Sequence, residues 1–288
     1  MRARARSPRI VDIFRAREPR LLAVDLDGTL LREDRTIAPA DVSAIAAARR
    51  AGVHVTLVTG RSASGVLSIA REIGLETPLV CGDGAQLVQP GTGRLIARKS
   101  LTREVAAKAL AALGEVGLTC FVLTHDAIHA RRGDGALAPW VMAWSPRLEL
   151  HDPDGPSWPV LRDVAVVLAL GPHELARRGL EAASTGLPPS ATSSARPLGV
   201  GEVWAVRVQV RSCTQGTGLA ALAARIGARR SGVAYVGGGH GDLSALLWSG
   251  RSFCMGQAPA DVRRAADETL RATSASGGGV AEVVERWL

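Results

Sequence analysis

A chain of 288 residues, 47% of them hydrophobic, suits one large domain or two modest ones, and with aromatics at 3% its core must be filled by Leu, Val and Ala. The formal net charge of +8 raises the question of nucleic acid, but the arginines are spread along the chain without aromatic residues between them, which speaks against such a partner. No apolar run approaches the roughly 18 residues of a spanning helix, which speaks against a membrane-embedded chain.

The first 19 residues are Arg-rich and lack the apolar centre of a secretory signal, so they read as a solvated, disordered arm. Leu21 to Val24 then form an apolar run that predicts a strand. Pro39 fits the first turn of a helix carrying Val42, Ile45 and Ala46, and Gly52 can end it. Val53 to Val58 reads as a buried strand, with His54 a core or edge histidine rather than a ligand. Ser62 is placed to cap a helix that presents Val66, Ile69 and Ile73 and stops at Gly74. Alternation of strand and helix implies a parallel sheet.

Beyond Asp83 the texture changes, with Gly and Pro clustered at Pro90 to Gly93, Gly133 to Pro139, Pro153 to Pro159 and Thr185 to Pro197. Between these clusters lie a helix near Thr102 to Leu113, strands near Thr119 to Leu123 and Val164 to Leu170, and a helix from Pro172 to Ala183. Residues 85–202 therefore read as a smaller α+β unit. Within it His151-Asp152-Pro153-Asp154 looks like a metal cluster but sits in a Pro-Gly stretch, so a solvated turn is expected. Regular α/β texture resumes with a strand at Val203 to Val210 and a helix from Gly216 to Ile226. A short strand at Val233 to Val236, a helix from Asp242, a strand at Phe253 to Met255 and two further helices complete the pattern. The four cysteines (Cys81, Cys120, Cys213, Cys254) form no C-x-x-C pair, a spacing that fits buried thiols in a reducing cytoplasm.

The chemistry concentrates at strand ends. Val24-Asp25-Leu26-Asp27-Gly28-Thr29-Leu30 puts two carboxylates two positions apart, hence on one side of an extended chain. Such a pair can divide into an attacking group and a proton carrier, or hold a hard cation. Val58-Thr59-Gly60-Arg61 places a hydroxyl and backbone N–H groups at a helix start, an anion site.

These segments resemble the haloacid dehalogenase superfamily of phosphatases, more narrowly its Cof-type branch with a class IIB cap between the second and third motifs. The resemblance runs from about Leu21 to the C-terminus. It implies a doubly wound parallel-sheet, Rossmann-like α/β core of residues 20–84 and 203–288 with an inserted α+β cap of residues 85–202. Asp25 is then the nucleophile that becomes a phospho-aspartate, and Asp27 the general acid and base. Thr59 and Gly60 would hold the transferring phosphoryl group. Asp25, the Asp27 carbonyl and Asp242 would bind Mg²⁺, with Mn²⁺ or another divalent metal as substitutes.

The third and fourth motifs depart from the pattern. Cys213-Thr214-Gln215-Gly216-Thr217-Gly218 has Gln215 where the family carries a lysine, so an amide stands for a cation in holding phosphate. Arg211, four residues earlier, is a candidate replacement. Gly237-Gly238-Gly239-His240-Gly241-Asp242 aligns Gly238 with the family's first metal-binding Asp and keeps Asp242 as the second acid. His240 could alternatively enter the metal's shell and favour Mn²⁺ or Zn²⁺. The resemblance implies a cytoplasmic, metal-dependent phosphatase of a small phosphorylated metabolite, for instance a sugar phosphate, with a weakened site. The alternatives are a family member without turnover that binds a phosphorylated ligand or a protein partner, and a phosphoryl transferase. Trp140, Trp144 and Trp158 fit either core packing or a substrate-stacking surface of the cap.

Overall fold

The computed structural model describes residues 20–142, 144–152, 162–198 and 202–288; the basic arm and Trp158 lie outside the described residues. From the N-terminal side the chain runs through β1 (Leu21–Asp25), α1 (Pro39–Arg50), β2 (His54–Val58), α2 (Leu67–Glu72), β3 (Leu79–Cys81), β4 (Gln86–Val88) and β5 (Leu95–Arg98). A second group follows: α3 (Arg103–Glu115), β6 (Thr119–Leu123), β7 (Ile128–Arg131), α4 (Ala138–Val141), β8 (Leu148–His151), β9 (Val166–Pro172), α5 (His173–Gly186), β10 (Ala191–Pro197) and β11 (Val203–Val210). The last group is α6 (Gln215–Ile226), β12 (Val233–Gly237), α7 (Leu243–Trp248), β13 (Arg251–Cys254), α8 (Ala260–Ala265), β14 (Glu268–Thr269) and α9 (Gly279–Trp287). No described helix is long and apolar enough to cross a membrane.

The strands form two sheets, one in the order β14-β13-β12-β1-β2-β3-β4-β5 and the other β10-β11-β9-β6-β7-β8. In the first sheet β1 lies between β12 and β2, parallel to both, and every one of its residues is buried. Its two faces feed separate apolar clusters: Leu22 and Val24 pack with Ile45, Leu57, Val66 and Val280, while Leu21 and Ala23 pack with Leu219, Leu222 and Tyr235. This is the doubly wound arrangement that continuous apolar strands require, since both faces of the sheet are covered. Asp41, fully buried in α1, accepts hydrogen bonds from Gly278 N and Ala281 N at 2.9 Å each and so caps α9 from another helix.

The chain's trace through the sheets differs from the sequence reading in three places. β4 and β5 extend the first sheet, β4 antiparallel to β3 and β5 antiparallel to β4, because the Gly-Asp-Gly turn at Gly82 to Gly84 reverses the chain immediately. β11 lies in the second sheet, antiparallel to β9 and β10, where Val206 and Val208 join the cap's own cluster. Ser62 caps no helix; its hydroxyl donates to the Trp144 carbonyl at 3.1 Å, and a 3-10 turn at Ala63–Gly65 precedes the short α2.

Among the described residues, two polar seams join the second sheet's unit to the first. One is Ser62 and Ser64 against Trp144 and Ser145, with Ser64 Oγ and Ser145 Oγ 2.6 Å apart. The other is an ion pair between Arg207 of β11 and Asp83 of the turn after β3. Arg207 is 5% exposed, so its charge depends on that one carboxylate. Replacing Arg207 by Met strands Asp83 and should destabilise the protein by about 3–5 kcal/mol in urea unfolding. Adding Asp83→Asn removes the stranded charge at a position whose φ of 53° favours small polar residues, and should recover part of the loss. Equal stability of the single variant and wild type would show that the pair holds nothing.

Candidate active site

β1 is where the chain departs to neighbours on opposite sides, β2 on one and β12 on the other, and in open α/β sheets the crevice beyond the strands' carboxyl ends opens there. A cavity of about 400 Å³ occupies that position. It is lined by Asp25, Asp27, Thr59, Gly60, Gln215 and Asp242, the six residues singled out from the sequence, drawn from four separate strand ends. Arg35, Asp83, Pro139, Trp140, Trp144, Arg196 and Leu198 complete its described wall together with Gly239 and Gly241.

Asp25 ends β1 with 7% exposure and accepts a hydrogen bond from Thr29 Oγ1 at 2.9 Å. Burial first, then the Asp242 and Asp27 charges, push its carboxyl well above the ordinary aspartate range, against the Thr29 hydroxyl. Asp27 is exposed and is held by Arg61, whose Nε donates to Asp27 Oδ2 at 2.9 Å. Arg61 therefore acts on the crevice through Asp27. Thr59 is 1% exposed, and its hydroxyl oxygen accepts from Arg61 N at 3.1 Å. The next position must be glycine, because a Cβ on Gly60 would lie 2.9 Å from Asp83 Oδ1.

Gln215 opens α6 and is 4% exposed. The helix reaches this depth because Gly216 lacks a Cβ, which would otherwise lie 2.2 Å from the Ser244 carbonyl oxygen of α7. Tyr235 Oη lies 2.6 Å from both Gln215 Oε1 and Asp242 Oδ1. One phenolic hydrogen cannot serve two acceptors. The phenol therefore donates to one of them at a time, and Gln215 Nε2 lies on the side of Gly241 in the cavity wall. Burial pushes the Asp242 carboxyl upward, against the hydrogen bonds from Tyr235, Gly239 and Gly238 that favour its charged form. Asp242 Oδ2 accepts from Gly238 N at 2.8 Å and Gly239 N at 2.7 Å.

Asp242 thus accepts from its own loop, with the Tyr235 hydroxyl in reach. Two other expectations are revised. His240 turns outward, with Nε2 3.0 Å from Asp261 Oδ2, and takes no place beside Asp25. Arg211 also faces elsewhere; its Nε donates to the Pro189 carbonyl at 2.6 Å. The cations that do line the cavity are Arg35, after the first motif, and Arg196, from β10. Sequence reasoning missed both, because nothing marks two arginines among so many. Asp83 and Arg207 carried a fainter signal: a carboxylate between two glycines at a strand end, and a lone charge within the buried run Val203 to Val210.

The donor set fits a hard divalent cation. It consists of oxygens, Asp25 is raised by burial and then by the negative charges of Asp242 and Asp27, and among the described residues the Asp27 carbonyl oxygen accepts no hydrogen bond.

The family profile described as haloacid dehalogenase-like hydrolase matches residues 22–136 and 203–284. Pyridoxal phosphate phosphatase YbhA of Escherichia coli is 40% identical over 68 residues, 24% of this chain and 25% of that protein. Phosphatase YwpJ of Bacillus subtilis is 32% identical over 110 residues, 38% of each chain. The chain thus spans well under half the length of these curated relatives. Among solved structures, a haloacid dehalogenase-like hydrolase from Bacteroides thetaiotaomicron superposes with a TM-score of 0.81 at 19% identity, over 94% of this chain and 100% of that one. The subclass IIB sugar phosphatase BT4131 gives 0.76 at 19% identity, over 93% of this chain and 98% of that one. With the Asp25-Leu26-Asp27 strand end at the switch point of a doubly wound sheet and the profile matched over both of these stretches, the chain belongs to the haloacid dehalogenase-like hydrolase family.

Proposed function

We propose that the protein is a phosphoric monoester hydrolase acting on a small phosphorylated metabolite through a phospho-aspartate on Asp25. The observation that carries this reading is the convergence of Asp25, Asp27, Thr59 and Gln215 on one cavity at the carboxyl end of β1. Asp25 attacks phosphorus with a carboxylate oxygen. Asp27, oriented by Arg61, protonates the leaving oxygen and then takes a proton from the water that cleaves the acyl phosphate. Thr59 and the Gln215 amide donate to the phosphoryl oxygens. Asp25 and the Asp27 carbonyl would hold Mg²⁺, which supplies charge neutralisation for nucleophile and phosphate. The activity named for the relative YbhA, on pyridoxal phosphate, supports a phosphorylated metabolite as the substrate class.

The test is a phosphate-release screen over phosphorylated metabolites with Mg²⁺, Mn²⁺ and Zn²⁺ each supplied. Release above the rate of an Asp25→Asn control supports the proposal; equal rates with every substrate and metal reject it. A second reading, a family member that binds phosphorylated ligands without turnover, is favoured by one feature: neither Gln215 nor Gly238 brings the charge its position ordinarily supplies. Saturable binding of a metabolite in the screen without release would select it.

Arg196 bears on this choice. It projects from the cap strand β10 into the wall of the cavity, near Gln215 and Gly241. We assign it the role of cation toward the substrate's phosphate in place of the absent lysine. Arg196→Gln should then lower kcat/KM by about tenfold or more, a charge-assisted hydrogen bond being worth roughly 1.5–3 kcal/mol. Steady-state kinetics on the best substrate checks this, and unchanged kcat/KM refutes the assignment.

A further inference from the structure

β7 and β8 are neighbouring parallel strands at the edge of the cap sheet, with His129 opposite Glu149 and Arg131 opposite His151. Side chains two apart on a strand share a face, so His129, Glu149 and His151 emerge together. They emerge on the face opposite Ile128 and Ala130, whose cluster includes Phe121, Leu168 and Val141. His129 Nδ1 lies 2.9 Å from His151 Nε2 and 3.4 Å from Glu149 Oε2, and the three ligand atoms lie within 4.8 Å of one another.

We propose that His129, Glu149 and His151 form a site in the cap for a divalent transition metal of the Zn²⁺ type, separate from the catalytic crevice. Two imidazole nitrogens and a carboxylate oxygen are a donor set that Zn²⁺ takes in sites with three protein ligands and one open position. Ligand atoms about 2.0–2.1 Å from a tetrahedral centre stand roughly 3.3 Å apart, so the observed spacings need only small side-chain rotations. His129 is buried, while Glu149 and His151 are half-buried.

The groups behind the ligands are also in place. His129 Nε2 lies 3.3 Å from Thr124 Oγ1, and that hydroxyl donates in turn to Asp126 Oδ1 at 3.0 Å. A proton on Nε2 therefore has an acceptor, and Nδ1 is released as the ligand atom. Glu149 Oε1 is held by Arg147 at 2.6 Å, while Oε2 is presented to the histidines. Partners of this kind fix the tautomer and the orientation of metal ligands.

The position gives the metal a task. The segment joining β7 to β8 carries α4, and Pro139, Trp140 and Trp144 from that segment line the catalytic cavity. A metal bound across β7 and β8 would fasten both ends of this segment to the sheet at its edge, where β8 has a single neighbour among the described residues.

The full-length protein, treated with chelator, desalted and loaded with Zn²⁺, should retain one equivalent by elemental analysis. Asp25→Asn should retain it too, which separates this site from the crevice. His151→Asn and Glu149→Gln, both at half-buried positions and both checked by circular dichroism, should bind about a hundredfold more weakly or lose the equivalent. Co²⁺ in place of Zn²⁺ should give the intense visible absorption of a tetrahedral centre in wild type and in Asp25→Asn, but not in the two cap variants. Zn²⁺ should raise the melting temperature of wild type and leave that of His151→Asn unmoved. No retained equivalent, an equivalent lost in Asp25→Asn, or one undiminished in both cap variants would each overturn the proposal.

Discussion

Asp25→Asn should reduce phosphate release by a factor on the order of 10⁴ or more, since removing a nucleophile from a concerted site has effects of that size or larger. An amide is a poor nucleophile and a poorer ligand for a hard cation, so one substitution removes both roles proposed for Asp25. The fold should not suffer. Ionised Asp25 is disfavoured in the folded state by burial and by the Asp242 and Asp27 charges. Between the ordinary aspartate pKa and the raised folded value, the native state binds the extra proton, so this group's contribution to stability falls as pH rises. The neutral asparagine escapes that loss. Its melting temperature near neutral pH should therefore equal or exceed the wild type's in chelator-treated protein. Loss of activity with retained or increased stability identifies a group held for function. Retained turnover, with contamination excluded, would place the chemistry elsewhere.

The core and its first two motifs were legible because local signals agreed there. Leu21 to Val24 is continuously apolar, as a strand covered on both faces must be, and Asp25 and Asp27 interrupt that pattern where the sheet ends. Thr59 and Gly60 follow the next buried strand in the same way. The cap was read less well. β7 and β8 have four residues each, β7 opens after a turn at Asp126, and a Gly-Pro stretch separates the two strands. Four-residue strands carry little periodicity, and their pairing, which brings His151 beside His129 and Glu149, is a long-range fact. That is why His151 looked like part of a turn. β11 was assigned to the wrong sheet because a buried strand looks alike on either side of a domain boundary. Its lone Arg207 marked the boundary, being the residue that reaches back to Asp83.

The fourth motif's behaviour also depends on contacts that sequence cannot show. Gly238 reads as a lost ligand, but the structure shows what stands near it. A Cβ there would lie 3.3 Å from Met255 Cβ and 3.6 Å from Gln257 Nε2, and Gln257 donates at 2.8 Å to the carbonyl of Gly28 in the first motif's turn. The space beside Gly238 is thus partly taken by two flexible side chains, and Asp242 turns to the loop's own N–H groups.

The double change Gln215→Lys with Gly238→Asp should raise turnover on a generic aryl phosphate. The lysine would stand beside Tyr235 and Asp242, give the buried Asp242 a counter-charge, and supply the positive charge the phosphoryl group lacks. The aspartate would return a carboxylate to the loop beyond β12. The root of the Met255 side chain, with Cβ at 3.3 Å and Cγ at 3.4 Å, must give by a few tenths of an ångström, and Gln257 Nε2 is near enough to steady the new carboxylate. Each substitution should recover on the order of 3 kcal/mol of transition-state stabilisation, about a hundredfold in rate. The two should be non-additive, because a lysine near a bound cation adds repulsion that the new carboxylate offsets. Rates of the four proteins in the cycle, measured with Mg²⁺, give the coupling directly. If the wild type already hydrolyses a metabolite efficiently and the double variant slows it, then Gln215, Tyr235 and Asp242 form a working alternative to the lysine, with Arg196 carrying the charge. The reading of a weakened site would then be wrong, and Arg196→Gln should be the more damaging substitution in the wild-type background than in the double variant.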